Sequence, residues 1–188
     1  LVGVAAAAVA PSGPPTSTGT GGAAASVETL ATQAAIDALK RGGNAVDAAV
    51  TAAGVLGVAE PFSCGVGGGG FMVIHRASDG KVTTIDGRET APAAMTPTSF
   101  MWANGKAPDF TTARYSGMSV GVPGTPATWG EALEKYGTFS LAQALAPGIA
   151  LARNGFVVDQ VFHDQIAGNQ QAFRDVPSSA ALYLKPDG

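Results

Sequence analysis

The chain has 188 residues, a formal net charge of −3 and 13% charged residues, and much of its 46% hydrophobic share is alanine. That length makes one domain the default and permits a substantial core. The faintly acidic balance, with no run of Lys or Arg, excludes the electrostatic footprint of a nucleic-acid or anionic-membrane binder. LVGVAAAAVAP at the start is apolar but too short to span a bilayer. It has the character of the end of a secretion-signal core, and residues 11–22 have linker composition. Residues 1–25 are therefore read as a truncated export signal with a linker, and residues 26–188 as the folded portion.

Residues 28–41 carry Leu30, Ala34 or Ala35, Ala38 and Leu39 at helical spacing, with Gly42 and Gly43 as the stop. Asn44 is read as the N-cap of a second helix, with Asp47 at the third position where a carboxylate reaches free amides. That helix is nearly uncharged and rich in small residues, which calls for close packing in an interior. Pro61 ends it, and PFSCGVGGGG follows. Residues 71–77 form an apolar strand. SDG at 78–80 is a hairpin signal, and KVTTIDGR is the return strand, with Val82, Thr84, Asp86 and Arg88 on one face. The first strand is apolar on both faces as far as Ile74, so a sheet covered on both sides is expected. Residues 96–123 read as loops. Helices are expected over 126–136, after Ser140 as a cap, and over 160–174, with Pro147 a kink candidate and Asn154-Gly155 a stop. Two strands do not make an independent sheet, so the whole reads as part of a larger α+β unit.

Few residues invite chemistry. Gly67–Gly70 lack the Lys-Ser/Thr of a phosphate loop and sit between a helix and a strand, the reverse of a dinucleotide fingerprint. They are read as a tight connection in which another backbone or a ligand approaches closely. Cys64 is the one cysteine, so no internal disulfide forms, and a lone cysteine is more often a small buried residue than a nucleophile. Two histidines, His75 and His163, cannot build a His-rich metal site. Asp159 and His163 are spaced to pair on a helix face. Arg88 is the sharper case. A guanidinium at the end of an inner strand needs carboxylates, from Asp86 and Glu89 as an internal ion pair or from a bound ligand.

Taken together, RGGNAVDAA, GGGGF, GRETAP and GVPG, in that order over residues 27–158, resemble the N-terminal part of the γ-glutamyltranspeptidases, or glutathione hydrolases. The resemblance implies a four-layer αββα N-terminal nucleophile hydrolase fold, only partly covered by this chain. It implies a proenzyme that cleaves itself into two subunits, with the new N-terminal threonine of the small subunit as nucleophile. The substrates implied are glutathione or other γ-glutamyl compounds, with water, amino acids or peptides as acceptor and no cofactor. Arg88 occupies the position that holds the α-carboxylate of the γ-glutamyl group, and Glu89 takes a supporting role. Cys64 stands where serine is common. The Thr-Thr-His-type nucleophile segment is missing, and Thr111-Thr112 does not replace it. No catalytic residue is therefore assigned within the chain, which is expected to be inactive alone. An acylase acting on cephalosporins, a polyglutamate-processing relative and a non-catalytic truncated homologue are the competing expectations.

Overall fold

The computed structural model describes residues 18–186. The leader and linker expected over residues 1–25 thus fall mostly outside the described residues. Helix α1 spans Thr29–Lys40 and α2 spans Ala45–Ala59. Glu28 caps α1 by accepting from Ala31 N, and Gly42 closes it with φ of +89°, a left-handed value that suits glycine. Asn44 and Asp47 form the complete capping box of α2.

Strands β1 (Gly70–His75) and β2 (Val82–Gly87) pair antiparallel, from Gly70 opposite Gly87 to His75 opposite Val82. The Asp79-Gly80 pair does lie in the connection. The turn is longer than two residues, because Arg76 N donates to Lys81 O and Gly80 N to Arg76 O, both at 2.9 Å. The 96–123 region holds a short helix α3 (Phe110–Arg114), capped by Asp109, and a 3₁₀ turn at Gly117–Ser119.

Helices α4 (Thr125–Tyr136) and α5 (Leu141–Asn154) follow. Ser140 and Gln143 form the capping box of α5, Gly155 ends it at φ of +79°, and Pro147 sits inside without dividing it. The single helix expected over 160–174 is two, α6 (Gln160–Gly168) and α7 (Gln170–Arg174), separated at Asn169, whose side chain turns back to donate to Gln165 O at 2.8 Å. A further helix, α8 (Pro177–Tyr183), was not legible beforehand. Phe62, Phe162, Phe173 and Tyr183 join these last helices to the turn after α2 through ring contacts of 5.0–6.3 Å.

The main core joins Val46 and Val50 of α2, Ile74 and Ile85 of the hairpin, Trp129, Ala132 and Leu133 of α4, and Ala144 of α5. Helix α1 lies outside this layer and packs on α2 through Ala35, Ala38 and Ala48. Each branched or aromatic side chain so buried stabilises the fold by about 1.5–3 kcal/mol. Only one face of the hairpin is covered by described residues. On the other, Phe71, Val73 and Val82 are 65%, 69% and 64% exposed. The expectation of a sheet buried on both faces is thus met on the helix side alone.

The layers are pinned by Asp47. This fully buried carboxylate accepts from Asn44 N at 2.7 Å, Thr138 N at 2.8 Å, Thr138 Oγ1 at 2.8 Å and Phe139 N at 2.9 Å. It therefore ties the start of α2 to the turn between α4 and α5. Burial pushes its pKa up, but the hydrogen bonds from Phe139, Asn44 and Thr138 outweigh that and hold it below the ordinary value.

Candidate functional site

The site forms where β2 runs out. Gly87 is its last residue and faces α4 so closely that a Cβ there would overlap Thr128 Oγ1. Arg88 and Glu89 come next, and Thr90 bridges to Val122, with Val122 N donating to Thr90 O at 2.8 Å. The glycine run and the GVPG stretch close around this segment. Gly68 O accepts from both Gly124 N and Thr125 N at 3.1 Å. A Cβ at Gly69 would overlap Gly87 O, and one at Gly121 would lie 2.8 Å from Glu89 Cβ. None of Gly67–Gly70 has a positive φ, so these glycines serve close approach of backbones and not left-handed turns. Three motifs distant in sequence are thus one interlocked junction.

Gly124 tests that junction. Its φ of −106° and ψ of −18° suit any residue, yet a Cβ would run into the Gly87 carbonyl. Gly124→Ala therefore acts by overlap alone, at a cost of about 1–3 kcal/mol. The expected result is a thermal unfolding midpoint lowered by about 1–3 °C in the complete protein. An unchanged midpoint would show that the junction is loose.

At the junction Asp86 Oδ1 accepts from Arg88 N at 3.0 Å, which fixes the backbone and leaves the guanidinium to others. Arg88 Nη1 lies 3.3 Å from Glu89 Oε2, an ion pair in which the Arg88 side chain is 68% exposed and that of Glu89 28%. Glu89 Oε2 is itself buried and makes no hydrogen bond, so the contact is electrostatic and without hydrogen-bond alignment. The carboxylate also abuts the glycine run, where a Cβ at Gly69 would sit 2.8 Å from Oε2. An ion pair this exposed is worth only about 0–1 kcal/mol. A ligand carboxylate that takes two parallel hydrogen bonds from the guanidinium competes with it easily. Of the two readings open for Arg88, the ion pair exists, through Glu89 and not Asp86, and it leaves the guanidinium free to bind.

The other candidates lie elsewhere or do other work. Cys64 is half-buried; burial pushes its thiol pKa up and the nearby Glu60 carboxylate adds to this, the opposite of what a thiolate nucleophile needs. Asp159 does not pair with His163: it caps α6 by accepting from Phe162 N at 2.8 Å. His163 Nδ1 lies 3.0 Å from Asp164 Oδ1 on an exposed face. Thr112 is held by Asp109, which accepts from its amide at 3.1 Å and from its hydroxyl at 2.6 Å, so it is a helix-capping partner.

The family model described as gamma-glutamyltranspeptidase matches residues 31–188. The chain belongs to the γ-glutamyltranspeptidase family. Among curated relatives, the glutathione hydrolase proenzyme of Bacillus subtilis (strain 168) is 44% identical over 153 residues, which cover 81% of this chain and 26% of the relative. An acylase ACY 1 proenzyme of Pseudomonas sp. (strain V22) is 37% identical over 172 residues, covering 89% of this chain and 31% of that protein. Among solved structures, the γ-glutamyltranspeptidase of Helicobacter pylori superposes with a TM-score of 0.86 at 35% identity, covering 92% of this chain and 49% of that one. The helices and hairpin described above are therefore part of the γ-glutamyltranspeptidase, N-terminal nucleophile hydrolase fold. The chain spans about a quarter of the length of the first of these relatives. Sequence reasoning had named Arg88 and Glu89 but not the interlock that holds them. The recurrence of glycine in GGGG, DGR and GVPG was its only trace.

Proposed function

We propose that the complete protein cleaves and transfers γ-glutamyl groups, from glutathione or similar compounds, and that Arg88 anchors the α-carboxylate of the donor. The observation that carries this reading is the exposed guanidinium of Arg88 at the end of β2, its backbone fixed by Asp86 and its charge only loosely countered by Glu89. Family membership gives that guanidinium its expected ligand. Glu89 supports the anchor from the glycine run.

The nucleophile comes from outside these residues, as the N-terminal threonine of a small subunit released from the same precursor. Its hydroxyl oxygen attacks the γ-amide carbonyl and its own amine takes the proton. The C–N bond breaks, the departing amine receives that proton, and a γ-glutamyl ester remains on the threonine. Water then gives glutamate, or an amino acid or peptide amine takes the acyl group. Export by the N-terminal segment belongs to the same reading.

The test is expression of the full reading frame. Two subunits on a denaturing gel, a threonine at the small subunit's N-terminus and release of nitroaniline from γ-glutamyl-p-nitroanilide are the expected results. Uncleaved protein without activity would overturn the reading. Cleaved protein that hydrolyses cephalosporin side-chain amides and ignores the γ-glutamyl anilide would favour the acylase relatives, one of which is 37% identical. Cell fractionation checks export, which a cytosolic protein with an uncleaved leader contradicts.

A further inference from the structure

Two Asn-Gly pairs, Asn104-Gly105 and Asn154-Gly155, are exposed and take no part in the site. Such a pair is a chemically weak point in any chain. Glycine has no Cβ to shield its amide nitrogen, and the preceding side-chain amide is thermolabile. The structure sets the two pairs apart.

Asn104 sits in a tight turn inside the 96–123 loop. Trp102 N donates to Lys106 O at 2.8 Å and Gly105 N donates to Trp102 O at 2.9 Å, while Gly105 takes φ of +74°. The Asn104 side chain bends forward over this turn, where its Oδ1 accepts from Lys106 N at 3.0 Å. That amide polarises the side-chain carbonyl. It already sits on the oxygen that becomes negative when the carbonyl carbon is attacked, which is where a stabilising donor acts. Trp102 is 52% exposed, so opening the turn uncovers no core and costs little.

Asn154 is the last residue of α5. Gly155 N donates to Leu151 O at 2.9 Å and so continues the helical bonding. Freeing that amide unwinds the last turn of a helix whose Leu151 lines a groove with Leu30 and Val55. No backbone amide donates to the Asn154 side chain among the described residues.

We propose that Asn104 is a site of spontaneous deamidation. The Gly105 nitrogen loses its proton to hydroxide and attacks Asn104 Cγ. The new C–N bond closes a cyclic imide, and the side-chain nitrogen leaves as ammonia. Water then opens the ring at either carbonyl, which leaves aspartate or isoaspartate. Both products add a negative charge beside Lys106. Isoaspartate also inserts an extra carbon into the backbone, which breaks the Trp102–Lys106 pairing. Water and hydroxide are the only reagents, and nothing in this chemistry depends on the role given to Arg88, so either can fail alone.

The test is incubation of the complete protein at mildly alkaline pH, followed by tryptic mapping and labelling with an isoaspartyl methyltransferase. Modification of the peptide from Glu89 to Lys106 is expected, about tenfold faster than that at Asn154 in the peptide it begins. The rate should rise with hydroxide concentration. Asn104→Gln, whose longer side chain closes the ring far less readily, should remove the label from that peptide and leave the thermal midpoint where it was. An unmodified Glu89–Lys106 peptide, a rate at Asn154 that equals or exceeds it, a rate indifferent to pH, or label that persists in Asn104→Gln overturns the proposal.

Discussion

On the proposed function, Arg88→Lys in the complete protein is expected to raise KM for γ-glutamyl donors by about 30- to 100-fold while precursor cleavage proceeds. Lysine keeps the charge but replaces a planar five-donor fork with a point charge, so the paired hydrogen bonds to a carboxylate are lost. Two charge-assisted hydrogen bonds reduced to one weaker contact is a loss of about 2.0–2.7 kcal/mol, which gives that factor. The native partner does not confuse the result. The Arg88–Glu89 pair is 68% exposed on the arginine side, so its own loss changes stability little. Steady-state kinetics with γ-glutamyl-p-nitroanilide, beside a gel for subunit formation, separates the outcomes. An unchanged KM removes the anchor role. Failed cleavage would instead make Arg88 part of the folding apparatus.

Asp47→Ala is expected to be the most destabilising substitution in the described core. It leaves the amides of Asn44, Thr138 and Phe139 without an acceptor. Each orphaned buried amide costs about 1–3 kcal/mol, and a sum near 4 kcal/mol corresponds to a midpoint lowered by ~10 °C. Asp47→Asn retains one acceptor oxygen and should lose about half as much. The carboxyl also sets a pH dependence. Because hydrogen bonding holds its pKa below the ordinary 3.8, its contribution is complete above that value and fades as pH falls through the lower folded value. Thermal melts of wild type and Asp47→Asn should therefore keep their full gap above about pH 4 and draw together as pH falls below it. A constant gap across that range would show that the charge is immaterial.

Much of the fold was legible because its signals are local. The caps Asn44 with Asp47 and Ser140, and the stops at Gly42 and Gly155, act within a few residues of themselves. The hairpin followed from an alternating return strand after an Asp-Gly pair. What was not legible depends on partners far along the chain. Asp47 was read as a cap; its reach to Thr138 and Phe139, 91 and 92 residues away, is set by how α4 meets α2. Asn169 divides a helix that its periodicity joins, because its side chain competes for a carbonyl one turn back. At the site, residue types alone could not choose between Asp86 and Glu89 as the partner of Arg88. That choice depends on Asp86 turning to the Arg88 amide at the strand end. The glycines that interlock there carry no side chain to advertise what they touch.

The half-covered hairpin has a consequence for how the protein must be made. Phe71, Val73 and Val82 form an apolar stripe on a ribbon whose two edges have no strand beside them among the described residues. Such a ribbon recruits any strand it meets, including the same one in another copy. While synthesis continues, these residues emerge from the ribosome before whatever later covers them, so a nascent chain carries a sticky edge for as long as the remainder takes to arrive. Yield of soluble protein should therefore depend on slow translation, low temperature or a holding chaperone more than on the stability of the finished fold.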